Sequence, residues 1–405
     1  MSRPPGVLPP RFDPLDPEVI ADPYPFYARL RQAGPVCRAG VGTWMVLRYA
    51  DVSALLNDKR LGNRRAGEDG STPLFGAGPS GTLSQRIIAG REGPDHVTLR
   101  GLLTRSLAAA RSRGWRPRVE ELVDELLEPG LDGAPFDVVA DLAFPLQARI
   151  VCELLGLPPA ERERIWPAAV DLGRAFIPYR LPTPEAAAAA DRAVAHLREC
   201  VSGWFDERAR DPRDDLISHL ASGLGRDGLD RADLVDNLVF LLFAGFEPTM
   251  NMVANGLSAL LAHPGEQARL AADPSLTSTA VEEFLRYDAP TQYTMRIVRE
   301  PIELGGRVLR PGRLLLLVLG SANRDERRFA EPDRLDVSRH PNPHVSFGGG
   351  AHHCTGWALA RVEGEAVVAR VLSRCAAIEP AGPAVRLDHP NFRAHESLPV
   401  RLRAA

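Results

Sequence analysis

Lysine is almost missing from this chain: Lys59 is the only one, although Lys and Arg together number 49. That bias reflects genomic base composition, so a single arginine carries meaning only where local context justifies it. Cysteine is scarce too. Five cysteines are scattered at 37, 152, 200, 354 and 375, an odd number with no CxxC pair. This excludes a disulfide framework or a structural zinc module and fits a reducing cytoplasm. No charge of one sign dominates. The formal net charge is −3, so nothing global calls for nucleic acid or an anionic membrane. The opening MSRPPGVLPPRFDPLDP has no apolar core and is read as neither a signal peptide nor an anchor. The longest apolar runs, 238–246 and 314–319, fall well short of the roughly 20 residues that span a bilayer. No membrane partner is therefore expected.

What remains is ordinary globular material: 405 residues, 44% hydrophobic and 25% charged. The periodicity is mostly helical. Helical patterns cover about 95–128, 141–155, 186–209 and 278–287, and another helix follows Cys354. Segment 40–49 reads as a short strand or hairpin, and β-like pieces recur between 296 and 320. The clearest element runs from Asp230 to about Ala262, with Asp230 and Asp233 as a capping pair and His263-Pro264 as its stop. It would be a rod roughly 48 Å long, apolar on all sides in the middle and hence buried. The class is mainly α with small β-sheets.

The strongest chemical signal is FGGGAHHCTG, 347–356, leading into WALARVEGEAVVARVL. A thiolate that ligates iron must be kept unprotonated in a partly apolar site. A helix N-terminus offers backbone N–H groups and the positive dipole end, which lower a thiol pKa. Glycines let backbone approach the sulfur closely. A zinc site from His352, His353 and Cys354 is poor, because three consecutive residues rarely converge on one tetrahedral ion. Two further pairs have helical spacing. Glu283 and Arg286 sit at i and i+3, so carboxylate and guanidinium share a face. His96 and Arg100 sit at i and i+4 and can reach one anion together.

Phe347, Gly348, Gly350, His352, Cys354 and Gly356 match the FGxGxHxCxG signature of the cytochrome P-450 family, which the chain resembles along nearly its whole length. Glu283-Phe-Leu-Arg286 matches the family's ExxR, followed by ANRD at 322–325 with Phe329, Pro332, Asp333 and Arg339. His96 and Arg100 match its HxxxR. The resemblance implies one domain over 1–405, with a β-richer part at about 1–60, a helical core at about 95–290 and a haem-ligand region at 340–375. It implies haem b between the long central helix and the cysteine loop, with Cys354 on the iron. His96, Arg100, Arg296 and His352 would face the propionates, with Ala244, Phe347 and Gly348 also against the haem. Glu283 and Arg286 would be a structural pair. Substrate contacts by family position would be 64–90, the region near Phe176 to Tyr179, Phe240, Ala244, Gln292, Tyr293 and Phe392. The chain looks most like bacterial members that take electrons from ferredoxins through a ferredoxin reductase. Arg100, Arg105, Arg111, Arg113 and Arg116 would be part of a basic docking face.

One motif departs from the pattern. AGFEPTMN, 244–251, stands where most members read A/G-G-x-D/E-T. Pro248 takes the place of the threonine that helps deliver protons to dioxygen, and Thr249 comes one residue late. Proline has no hydroxyl and no N–H, so it frees the Ala244 carbonyl and kinks the helix. Glu247, Pro248 and Thr249 are thus the catalytic candidates. The expected activity is a cytoplasmic monooxygenase that hydroxylates, epoxidises or couples a small secondary-metabolite intermediate. A peroxide-driven peroxygenase and a non-catalytic haem-binding recruitment domain are the alternatives.

Overall fold

The computed structural model describes residues 13, 16–40, 42–63, 78–111, 114–175, 183–225 and 228–405. Helices form the body. Gly93–Arg111 and Trp115–Leu127 divide the helical pattern expected across 95–128, separated by a turn with Gly114 at φ 71°. Phe144–Leu155, Glu161–Ala175 and Pro184–Arg210 follow. Helix Thr277–Tyr287 and helix Trp357–Arg374 complete the set that frames the site.

The central element differs from the expected single rod. It is two helices, Arg231–Ala244 and Glu247–Ala262. The start is as expected: Asp230 accepts from the Asp233 N–H, and Asp233 reciprocates toward the Asp230 N–H. The break falls where proline dictates. Pro248 has no N–H for the Ala244 carbonyl, and its ring crowds the turn before it. The backbone tightens instead, with the Phe246 N–H donating to the Phe243 carbonyl at 3.2 Å. Regular bonding resumes with the Met250 N–H on the Phe246 carbonyl at 3.1 Å. Leu234, Leu238, Leu242 and Leu257 of this pair are buried in the largest apolar cluster, where truncation to alanine costs about 2–5 kcal/mol each. Taken together, Arg231–Ala262 is the one stretch among the described residues long and apolar enough to cross a bilayer, and 61% of its most apolar window is buried in the protein.

A five-stranded sheet lies beside the helices, in the order Val36–Gly40, Thr43–Val46, Leu314–Leu317, Thr294–Val298, Leu61–Gly62. The hairpin and the β-like pieces read from the sequence are its first four strands, together with the small hairpin Ile302–Leu304 and Arg307–Leu309. The sheet brings Arg296 beside Leu315 and Gly62 beside Ile297. Residues 62–63 and 296 therefore meet, although they are far apart in sequence.

Between sheet and last helix the chain makes a long irregular run, and a buried ion pair fastens it. Arg286 donates to both Glu283 oxygens at 2.6 and 2.7 Å, and both side chains are fully buried. The same guanidinium donates to the carbonyls of Asn323, Pro332 and Arg334 at 3.0, 2.7 and 3.2 Å. Glu283 also accepts from Arg339 Nε, Asn342 Nδ2 and the Asp336 N–H. The i and i+3 spacing thus supplies one buried pair, and the pair's spare hydrogen-bonding capacity pins the 323–342 segment. Removing one partner of such a pair leaves a buried charge uncompensated, at about 3–5 kcal/mol. Arg286→Ala is expected to lose that much stability in denaturant unfolding; an Arg286→Ala protein as stable as the wild type would contradict this role.

Candidate active site

The 347–356 loop is built for close approach. The Cys354 N–H donates to the Phe347 carbonyl at 2.9 Å, and the His353 N–H to the Gly350 carbonyl at 3.1 Å. Gly350 adopts φ 64°, and a Cβ there would lie 2.4 Å from the Leu56 carbonyl. No side chain fits that position, which is why glycine is needed. Helix Trp357–Arg374 starts directly after the loop. Cys354 is the only exposed cysteine of the five; Cys37, Cys152, Cys200 and Cys375 are buried.

Electrostatics at Cys354 run opposite to the simple expectation. Desolvation raises the thiol above its ordinary value, and the Gly356 N–H, Arg100, the Trp357 N–H and Arg361 only partly offset it. The sulfur is accessible yet closely ringed by protein, so the helix N-terminus moderates the burial cost without overcoming it. Such a thiol is a poor free nucleophile. A coordinated metal ion removes the proton outright, which suits a ligand better than a reactive group.

Around it stand the cations expected from the sequence. His96 and His352 rings lie 4.4 Å apart. His96 is buried, its Nε2 has no partner, and burial together with His352 brings it down to about 4. Arg296 is buried, and desolvation lowers it to about 10. Its Nη1 donates to Asn63 Oδ1 at 3.1 Å, Thr294 Oγ1 at 3.1 Å and the Met295 carbonyl at 2.8 Å. Burial lowers Arg100 as well, with Cys354 pulling the other way. Among the described residues neither Arg100 nor Arg296 has a carboxylate within ion-pair distance. Two desolvated guanidinium ions, neither in a direct ion pair among the described residues, beside an unpartnered buried imidazole, suit a ligand carrying two carboxylates. Haem has two propionates, so the donor set fits it.

The second half of the broken central helix packs against helix Trp357–Arg374, where a Cβ at Gly364 would lie 2.9 Å from Met252 Cε. Ala244 is partly buried, and among the described residues no hydrogen bond reaches its carbonyl. Thr249 is buried. Glu247 is partly buried, and its carboxylate faces helix Glu161–Ala175: a Cβ at Gly173 would lie 2.5 Å from Glu247 Oε2.

The substrate candidates divide. Phe240 is partly buried against the main core. Phe392 packs edge-on against Phe243 at 6.1 Å and stacks on His389 at 4.7 Å. Gln292 and Tyr293 are turned inward. Gln292 is buried, with Nε2 on the Ala289 carbonyl at 2.7 Å. Tyr293 is buried among Tyr24, Tyr27, Met45 and Leu316, its hydroxyl on the Pro390 carbonyl at 2.9 Å. Both anchor the strand from behind, while Thr294 and Met295 are partly exposed. The 64–90 segment is described only from 78, and Phe176–Tyr179 lie outside the described residues. The expected basic face is also incomplete. Arg105 is exposed, Arg100 is turned toward Cys354, and Arg116 is paired with Glu365; the side chains of Arg111 and Arg113 lie outside the described residues. Sequence reasoning missed Phe243, Asn63 and Glu92. Glu92 had a signal, since Glu92, His96 and Arg100 recur every four residues.

Together these features make a site whose donors fit a haem beside a cysteine. Residues 186–392 match the family profile described as Cytochrome P450. The biotin biosynthesis cytochrome P450 of Bacillus subtilis is 33% identical over 389 residues, covering 95% of this chain and 97% of that protein. The cytochrome P450 monooxygenase PikC of Streptomyces venezuelae is 36% identical over 404 residues, covering 96% and 93%. The solved structure of P450BioI, in complex with a hexadec-9Z-enoic acid-ligated acyl carrier protein, superposes with TM-score 0.89 at 31% identity, covering 95% of this chain and 100% of that one. The chain belongs to the cytochrome P450 family. It is a haem-dependent monooxygenase, and the family's haem is held by a cysteine thiolate.

If Cys354 is that cysteine, Cys354→Ala will lose the thiolate-type Soret band in the carbon monoxide difference spectrum of the reduced protein, while the wild type shows it. The same band in both proteins would refute the assignment.

Proposed function

We propose that Cys354 is the iron ligand of a haem b, and that the chain oxidises a small organic molecule, an intermediate of secondary metabolism, in the cytoplasm. Electrons come from a ferredoxin and its reductase. The observation that carries this reading is the pairing of an exposed but desolvated Cys354 with the part-buried Arg100 and the buried Arg296, neither of which forms an ion pair among the described residues. When bound, the haem would supply dioxygen activation, which donation from a thiolate ligand favours. His96, Arg100, Arg296 and His352 would hold its carboxylates. Phe240, Phe243 and Phe392 offer apolar surface to the substrate, in keeping with the mostly apolar lining of ligand pockets.

Proton supply is where this chain goes its own way. A positioned donor is worth about 10²–10⁴-fold in rate, and position 248 has no hydroxyl. The helix break offers the Ala244 carbonyl as a free acceptor, with Glu247 and Thr249 in the next turn. A substrate hydroxyl or amide, or a water, bound at that carbonyl stands in for the missing side chain. Glu247 relays the proton from the side of helix Glu161–Ala175. Pro248 also favours a second reading, peroxide-driven oxidation, which needs no relay from a reduced partner.

Product and peroxide formed per NADPH, measured for wild type and Pro248→Thr across substrate analogues, decide between them. Under the first reading Pro248→Thr changes coupling only modestly, and analogues lacking the donor group uncouple sharply. A many-fold gain in coupling for Pro248→Thr on every analogue would mean a degraded relay and favour the peroxide-driven reading.

A further inference from the structure

The cations around Cys354 come from separate stretches of chain, and one carboxylate joins them. Glu92 lies at the entrance of helix Gly93–Arg111, its carbonyl accepting the His96 N–H at 3.5 Å. Its Oε1 accepts from the Asn63 N–H at 2.6 Å and lies 3.3 Å from His352 Nε2. Asn63 in turn accepts from Arg296 Nη1 at 3.1 Å and donates to the Ala89 carbonyl at 2.7 Å. With the His96 ring 4.4 Å from His352, the contacts run unbroken through Arg296, Asn63, Glu92, His352 and His96. The approach is tight. A Cβ at Gly62 would lie 2.8 Å from Arg299 Cδ and 3.1 Å from Glu92 Oε1.

Glu92 has a second face. It lines a polar groove of about 460 Å³ together with Arg86, Arg91, Asp95, Thr98 and Asp233. Arg86 is held there by Asp230 and Asp233, and Arg91 by Asp233, so neither is spent on Glu92. Burial raises the Glu92 carboxyl, but its bonds with His352 and the Asn63 N–H outweigh this and leave it below the usual carboxylate range. It is therefore an anion at neutral pH, placed among the cations meant for two other anions.

We propose that Glu92 is the positioning carboxylate of the haem-propionate frame: it orients His352 directly and Arg296 through Asn63, and its charge holds the haem reduction potential down. The proposal rests on the haem reading given above. Outer groups that orient a site's direct ligands commonly matter as much as the ligands themselves. A fixed negative charge in a poorly solvated region opposes the arrival of an electron nearby.

Three variants separate the two roles. Glu92→Gln keeps an oxygen for the Asn63 N–H and removes the charge. Glu92→Ala removes both. Asn63→Ala cuts the link to Arg296 and leaves the charge. Two quantities are measured on the purified holoproteins: the ferric–ferrous potential by spectroelectrochemistry, and haem transfer to excess apomyoglobin. Glu92→Gln is expected to shift to a more positive potential while retaining haem. Glu92→Ala is expected to show that shift and to release haem about tenfold faster or more. Asn63→Ala is expected to release haem faster at the wild-type potential. The proposal is overturned by a wild-type potential in Glu92→Gln, or by wild-type haem release in Asn63→Ala; these two variants decide even where Glu92→Ala does not fold. A wild-type protein without a haem-thiolate spectrum would instead sink the haem reading itself.

Discussion

A cysteine sulfur in a desolvated recess is the constraint on which the site depends. Burial alone drives Cys354 toward the neutral thiol. The backbone N–H groups of Gly356 and Trp357 and the charges of Arg100 and Arg361 pull the other way, and each acts only at short range. They must therefore be held in register with the sulfur by parts of the chain that carry no chemistry. The Glu283–Arg286 pair does this from one side, tying the irregular 323–342 run to helix Thr277–Tyr287. Gly350 does it from another, by letting the loop pass against the Leu56 carbonyl.

The same logic extends to the opposite wall. The cation frame leaves Arg100 and Arg296 desolvated without carboxylate partners, a cost that folding accepts only if a dianionic ligand returns it. The central helix accepts a comparable local loss at Ala244, where Pro248 removes a backbone bond. Proteins tend to break their own local rules at functional sites.

Much of this was legible in the sequence because it depends on local spacing. The capping pair Asp230 and Asp233, the i and i+3 pair Glu283 and Arg286, and the glycines before Cys354 all act within a few residues of themselves. The break at Pro248 was legible as chemistry, although it ends one helix and starts another where the reading expected a bent rod. What the sequence could not show is which way a segment faces. Gln292 and Tyr293 are both buried, Tyr293 in an apolar cluster, and a strand assigned without its neighbours has no fixed face. Asn63 and Phe243 became visible only when the sheet joined 62–63 to 296–297 and when Phe392 closed on the central helix. The sign of the Cys354 shift also needed the packing, since helix position predicts a lowering and burial reverses it. The buried acid Glu363, on Gln147 and raised to about 8 by desolvation, had no sequence signal at all.

The central claim is that one sulfur of this chain, at Cys354, is bonded to iron in the resting protein. Resonance Raman spectroscopy of the ferric holoprotein, prepared with ordinary and with heavy-sulfur cysteine, tests it directly. The account predicts an iron–sulfur stretching band that moves to lower frequency with the heavy isotope. A spectrum with no isotope-sensitive band in that region would contradict it.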